Sequence, residues 1–305
     1  MKRAVSISIG SSTRDKTVEI KLLGETIRME RIGTDGDMEK AAALYRELDG
    51  QVDAFGVGGA VLGLMLEDRW YTLNSVRSLV RYIHHTPVVD GTGLKMTLER
   101  KAAAVVDEQL CDVLVNHNAL LISGVDRYGL SRSFMDAGYD CVIGDLMFTI
   151  GLPIPIRSDR ALKRVANALI PIVGRLPFEW MYPTGEKQET RTPKFTKYFE
   201  QAGVIAGDCH YITHYMPDDM HGKIIVTNTT TPADRELLRS CGIRHLVTTT
   251  PVFEERSFGT NMMEAAIIAA LGRKERVDYA NCAEYMILME EMVDQLHLVP
   301  QVQEL

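Results

Sequence analysis

Apolar and polar positions first alternate with period two. The runs A-V-S-I-S-I-G at 4–10, then T-V-E-I-K-L-L and T-I-R-M-E-R-I within 17–32, predict a strand followed by a hairpin turning at Gly24-Glu25. Over 38–49 the spacing stretches to that of a helix. Met38, Ala41, Leu44, Tyr45 and Leu48 then share a face behind Asp35 or Asp37 as N-cap. A strand over 53–57 enters Gly58-Gly59, a helix covers 74–84, and Pro87-Val88-Val89 precedes a helix from Lys95 to about Leu110.

Beyond residue 116 the rhythm changes. Short apolar runs at 119–123, 140–143, 204–206, 223–227 and 245–249 lack alternation, which suits strands buried on both faces. Helical patterns at 130–137, 159–170, 232–240 and 260–271 fall between or after them. Strand and helix in turn predict an α/β chain of two domains, the C-terminal one a doubly wound, Rossmann-like parallel sheet. The division expected is 1–115 as an N-terminal α/β substrate domain and 116–275 as a cofactor domain. Residues 276–305 form a helical tail that returns to pack on the N-terminal domain. A length of 305 residues is about twice the ordinary domain and agrees with this.

Composition narrows the function classes. Lys and Arg number 34 against 41 Asp and Glu, a net charge of −7, and no basic block interrupts the pattern. That balance, with few Trp and Phe, counts against nucleic acid as a partner. The charge-free stretch 54–66 is too short to cross a bilayer, and Met1-Lys-Arg-Ala-Val-Ser-Ile reads as a strand start rather than a signal segment. Five widely spaced cysteines without C-x-x-C suit a reducing cytoplasm, and their spacing gives no reason to expect a metal. The expected partner is a small, anionic substrate, and the expected assembly is a homodimer.

Candidate chemistry gathers at strand ends. Gly124-Val-Asp126-Arg-Tyr-Gly129 follows a strand and opens a helix, and Asp145 follows the next strand. This is the setting of a dinucleotide fingerprint, with an acidic residue for ribose, although Asp126 stands where the second glycine belongs. Gly56-Val57-Gly58-Gly59 and Gly10-Ser11-Ser12 can bring backbone amides and hydroxyls to a substrate. In Asp90-Gly91-Thr92-Gly93-Leu94-Lys95, Lys95 is the candidate acid or base, Asp90 its helper and Thr92 a substrate contact. The alternative for that loop is a capped helix start. Asp208-Cys209-His210 offers His210 as a further acid or base, its tautomer held by Asp208. Thr227-Asn228-Thr229 and Thr248 lie in hydroxyl-rich loops fitted to phosphate, ribose or carboxylate, and Lys187 is a candidate substrate contact in Y-P-T-G-E-K.

The stretches V-V-D-G-T-G-L-K at 88–95, G-D-L-M-F at 144–148, Y-P-T-G-E-K-Q-E at 182–189 and T-N-T-T-T-P at 227–232 resemble a prokaryotic family often labelled quinate 5-dehydrogenase. The resemblance covers nearly the whole chain. It implies a substrate domain followed by a nucleotide domain, and a Lys–Asp pair for proton transfer, a role for which Lys95 and Asp90 are an analogy. The N-x-T-x-P-x-K substrate motif of shikimate and quinate dehydrogenases is absent. The leading expectation is an oxidoreductase using NAD or NADP on a small hydroxy or keto acid in an interdomain cleft. Its cofactor contacts would be Gly124, Gly129, Asp145, Thr227, Asn228, Thr229 and Thr248, and its substrate contacts Ser11, Gly58, Thr92 and Lys187. Two rivals are a non-redox lyase, isomerase or transferase acting on a phosphorylated or carboxylated metabolite, and a ligand-binding protein without turnover.

Overall fold

The computed structural model describes residues 1–175, 191–253 and 256–305 of an α/β chain. It divides into two compact units. The first holds Met1–Leu94, the described residues from Leu169, and Gly259–Leu296; the second holds Lys95–Ala168, the described residues up to Phe258, and His297–Leu305.

In the first unit, β1 (Lys2–Ser8), β2 (Lys16–Leu22), β3 (Glu25–Gly33), β4 (Ala54–Gly58) and β7 (Val88–Val89) form one sheet in the order β2-β3-β1-β4-β7. A separate ribbon pairs β5 (Gly63–Leu66) with β6 (Arg69–Thr72). β2 and β3 are the antiparallel hairpin, turning at Leu23 and Gly24, both with positive φ. All other pairings in the sheet are parallel. β4 is buried along its whole length, as its apolar sequence requires. The helix Met38–Leu48 is capped by Asp37, whose carboxylate accepts the Lys40 N–H at 2.9 Å. It buries Tyr45, whose hydroxyl donates to the carbonyls of Ile7 and Gly56 at 3.1 Å each.

The helix Thr260–Leu271 packs on β1 and β4 and buries ten of its twelve residues. A Cβ at Gly56 would lie 2.9 Å from the Asn261 carbonyl, so this strand accepts only glycine where helix and sheet meet. Buried aliphatic side chains such as Ile267 and Ile268 each contribute about 1.5–3 kcal/mol.

The second unit carries β8 (Asn118–Leu121), β9 (Asp140–Ile143), β10 (Val204–Ala206), β11 (Ile224–Thr227), β12 (His245–Thr248) and β15 (Gln301–Glu304). Their order is β15-β12-β11-β10-β8-β9, with β8 to β12 parallel and β15 antiparallel on β12. The chain pairs β9 on one side of β8 and then crosses to place β10 on the other. The loops after β8 and β10 therefore leave the sheet in different directions at neighbouring carboxyl ends. A two-stranded ribbon, β13 (Val252–Phe253) with β14 (Arg256–Ser257), completes the strands described. Phe148, Phe199, Ile205, Ile225 and Leu246 belong to one buried cluster under this sheet.

The first crossing between units falls at Leu94/Lys95, earlier than the boundary expected near 115. The reason is packing: the turn Leu98–Lys101 and helix Ala102–Gln109 lie against the helix Tyr128–Asp136, where the Ala103 N–H donates to Ser133 Oγ at 3.0 Å. Residues 259–275, expected in the cofactor domain, belong to the first unit, since the helix Thr260–Leu271 covers that unit's sheet. The tail divides as well: the helix Ala283–Gln295 lies in the first unit and β15 in the second. Among the described residues, no helix is long and apolar enough to cross a membrane.

Candidate functional site

Each unit carries its own buried polar centre. In the first, Asp90 leaves the end of β7 and is 2% exposed. One carboxylate oxygen accepts the Leu62 N–H at 2.7 Å and the other accepts the Thr92 N–H at 3.1 Å. Gly91 has φ +93°, and a Cβ there would meet Thr260 Oγ1 at 2.4 Å. Glu264, on the apolar helix Thr260–Leu271, is fully buried. Its Oε1 accepts the hydroxyls of Tyr285 at 2.6 Å and Tyr279 at 3.2 Å, and its Oε2 accepts the Leu94 N–H at 3.0 Å. Trp70 stacks on Tyr279 with ring centroids 4.6 Å apart. Burial pushes the Glu264 carboxyl up to about 7, and nearby Asp90 pushes in the same direction. Burial, followed by the Glu264 charge, also raises both tyrosines.

Other candidate substrate contacts in this unit have local employment. Thr92 is buried and tied to Asp90 through its amide. The Gly58 carbonyl accepts the Ile9 N–H at 3.0 Å, and a Cβ on Gly58 would meet Ser8 Cβ at 2.7 Å. Ser11 is exposed and caps a short turn, its Oγ accepting the Thr13 N–H at 3.2 Å. Lys187 lies outside the described residues.

The second unit's centre stands at the carboxyl ends of β8, β10, β11 and β12. Lys95 Nζ lies 2.7 Å from Asp126 Oδ1, with the lysine side chain 8% exposed and the aspartate 34%. The loop after β8 also supplies Arg127, buried between two carboxylates. It makes a short contact to Glu99 and another to Asp208 at 3.3 Å. Asp208 follows β10 and caps the helix Cys209–Tyr215 by accepting the His210 N–H at 3.0 Å. Asn228, after β11, donates to the same Asp208 carboxylate at 3.2 Å. Thr249 Oγ1, after β12, donates to Glu99 at 3.3 Å. Burial pushes Glu99 above the usual carboxylate range, with Arg127 pulling against it. Burial opposes charge on Asp208 too, but Arg127 and His210 hold its carboxyl below the ordinary value.

The glycine-rich turn is filled by the chain itself. Asp145 accepts the Gly124 and Val125 N–H groups at 2.8 and 2.9 Å, one on each carboxylate oxygen. A Cβ on Gly124 would meet Ile143 Cγ2 at 2.4 Å, and one on Gly129 would meet the Lys95 carbonyl oxygen at 1.9 Å. Gly124 thus admits Asp145 and Gly129 admits the Lys95 backbone. The two amides that a pyrophosphate would need are already bonded to an anion, and Asp126 adds a second carboxylate beside them. These residues do not fit a dinucleotide phosphate in the way the sequence pattern suggests. Burial pushes Asp145 up to about 6 despite its amide donors.

The threonine loops are likewise internal. Thr227, Thr248, Thr249 and Thr250 are fully buried. Thr227 donates to Asn228 Oδ1 at 3.1 Å, Thr248 Oγ1 accepts from Gln303 at 3.0 Å, and Thr250 donates to the Asn228 carbonyl at 2.9 Å. Asn228 and Thr229 are half-buried, and His210 is exposed. Thr231 caps the helix Pro232–Ser240 in a reciprocal box with Asp234. Among the described residues, no group of three or more His, Cys, Asp or Glu side chains is placed to hold a metal ion.

The structure therefore joins Lys95 to Asp126 rather than employing Asp90 as its ion-pair partner. Asp90 spends its oxygens on two backbone amides. Glu99 stands out only in three dimensions, as does the role of Arg127 within its turn. For Glu264 one signal was available, a lone acid within N-M-M-E-A-A-I-I-A-A-L.

Residues 93–305 match the family described as Domain of unknown function (DUF8754). The chain belongs to that family. Residues 3–90 match a second model, Domain of unknown function (DUF8753), so the seam between the two matches falls within the Asp90–Gly93 loop. No curated protein matches the chain. A crystal structure from Mycobacterium smegmatis is 13% identical over 97% of each chain, with a TM-score of 0.34. Another from Mycobacterium smegmatis, in complex with Beta-D-Fucofuranose, is 11% identical over 96% of this chain and 98% of that chain, also with a TM-score of 0.34. Likeness at this level establishes neither fold nor ligand.

Proposed function

We propose that the chain is a non-redox enzyme, a lyase or isomerase, that moves a proton on a small polar metabolite. Its working pair is Lys95 with Asp126, at the carboxyl edge of the second unit's sheet. One observation carries this: a nearly buried lysine ammonium 2.7 Å from a carboxylate that remains one-third exposed. Burial fixes the donor, and exposure leaves the acceptor within reach of a ligand. Lys95 gives a proton to a substrate oxygen, Asp126 receives the proton leaving carbon or hydroxyl, and transfer across the pair restores both. Positioned acid–base groups of this kind contribute about 10²–10⁴-fold to rate.

The test is deuterium uptake from D2O, followed by NMR, across three- to six-carbon hydroxy-ketones and hydroxy-aldehydes without added cofactor. Uptake at the carbon beside the carbonyl, lost in Lys95→Met, is the expected result. Equal uptake with and without the lysine overturns the assignment.

A second reading is an NAD(P)-dependent oxidoreductase acting on a hydroxy or keto acid. Its support is the strand order. Numbered within the second unit, β9-β8-β10-β11-β12 runs 2-1-3-4-5, the flavodoxin-like order of doubly wound sheets, which place a nucleotide at the switch point between strands one and three. The loops carrying Asp126, Arg127 and Asp208 leave at that switch point. The filled Gly124 turn weighs the choice toward the non-redox case.

A further inference from the structure

The charges of the Lys95–Asp126 edge restrict what it can bind. Two buried cations, Lys95 and Arg127, stand with four acids, Glu99, Asp126, Asp145 and Asp208, and the exposed His210 lies beside Asp208. The cations lie beneath: their side chains are 8% and 4% exposed, against 34% for Asp126 and 24% for Asp208. A ligand arriving at this edge meets carboxylate oxygens first. A phosphate or carboxylate would be repelled by them, since Lys95 and Arg127 are each already paired with a carboxylate. An ammonium fares little better, because each exposed carboxylate already has a cation within 3.3 Å. What these oxygens retain is unused lone pairs, the complement of an uncharged hydrogen-bond donor.

A second observation agrees. Among the described residues, the buried Glu99 Oε2 and Arg127 Nε find no hydrogen-bond partner, so one acceptor and one donor of the same ion pair are left over. A hydroxyl group carries both a donor and an acceptor, the two functions this buried pair has left over, whereas a phosphate dianion or an ammonium carries one of them.

We propose that the ligand of this edge is an uncharged polyhydroxylated molecule, a sugar or cyclitol, whose neighbouring hydroxyls donate to Asp126 and Asp208. Arg127 and Asn228 act as positioning residues that aim the Asp208 carboxylate. The proposal rests on this edge being the working site, and it replaces the anionic substrate expected from the sequence.

The experiment is amide NMR of the isotopically labelled full chain, titrated separately with myo-inositol, inorganic phosphate and ethanolamine. The expected result is saturable movement of the amides of Asp126, Asp208, His210 and Asn228 with myo-inositol alone, weakened at least tenfold in Asp208→Asn. Movement of the same amides by phosphate or ethanolamine in its place overturns the proposal, as does silence with all three probes. The wild-type pattern decides even where Asp208→Asn fails to fold. Because binding is read without turnover, phosphate binding beside intact Lys95-dependent deuterium uptake would sink the ligand class and spare the proton-transfer assignment. Inositol binding without uptake would do the reverse.

Discussion

The two polar centres solve one problem in opposite ways. In the first unit, Glu264 and Asp90 are buried with tyrosine hydroxyls and backbone amides as partners and, among the described residues, no ion pair to either. In the second, Glu99, Asp126 and Asp208 are each paired to a lysine or arginine. Burying charge without a counter-ion raises a carboxyl toward neutrality, whereas burying it with one keeps the charge and makes the partner indispensable. The first centre accordingly fastens the Asp90–Leu94 loop through neutral donors, and the second is a framework of paired charges at the carboxyl edge of its sheet.

The largest expected effect breaks the second centre. Arg127→Met leaves Glu99 and Asp208 without their cation and is expected to cost about 3–5 kcal/mol of stability by urea unfolding. Arg127→Met combined with Glu99→Gln should recover part of that loss. Glu264→Leu, which removes no cation's partner, should not be rescued by any change of charge in its own unit.

Next comes pH. Glu264 has a raised carboxyl, so its contribution is fully present below the ordinary Glu value of 4.5 and is lost as pH rises through about 7. That span corresponds to about 3 kcal/mol, and Glu264→Gln should remove it from a series of unfolding curves taken between those pH values. Asp208 carries the opposite sign. Its carboxyl is lowered, so its contribution is present above the ordinary Asp value and is lost as pH falls further. Asp208→Asn should flatten the acid limb and leave the limb near neutrality in place.

A smaller effect concerns backbone packing. Alanine ordinarily favours a helix over glycine by about 1 kcal/mol. Gly129→Ala instead drives a methyl into the Lys95 carbonyl oxygen and is expected to destabilise by about 1–3 kcal/mol in the same unfolding assay. Smallest is Thr250→Val, which leaves the Asn228 carbonyl without its donor. It should cost about 1 kcal/mol and leave myo-inositol binding unchanged.

Much of the fold is written in local periodicity. The hairpin β2–β3 and the runs at 140–143, 204–206 and 260–271 are set by alternation or by unbroken apolarity, and they form where those patterns stand. The unit boundary is not local. The chain around Leu98–Gln109 carries no mark of whether it packs forward on Tyr128–Asp136 or back on β1 to β7. The candidate site divides in the same manner. Lys95 is conspicuous for its place in a run of Asp, Thr and glycines, and the structure sets it in the short helix Thr92–Met96 beside a carboxylate. Its partner is an aspartate 31 residues along the chain, selected by sheet topology rather than spacing. Gly124 and Asp145 have the spacing of a nucleotide fingerprint because a strand, a turn and the next strand always bring those positions together. Whether the acid turns outward to ribose or inward to the amides is decided by the π-helical turn Asp145–Thr149. The threonine loops look like donor surfaces in one dimension because burial is invisible there.

The most direct test of the central claim, an acid–base centre beside a phosphate cradle that the chain fills itself, is calorimetric titration of purified, nucleotide-stripped protein with NAD, NADH, NADP and NADPH. The expected result is no saturable heat with any of the four, in wild type and in Lys95→Met alike. Saturable binding weakened by Gly124→Ala or Asp145→Ala would contradict the account, since it would place a nucleotide phosphate where the Asp145 carboxylate is held to sit.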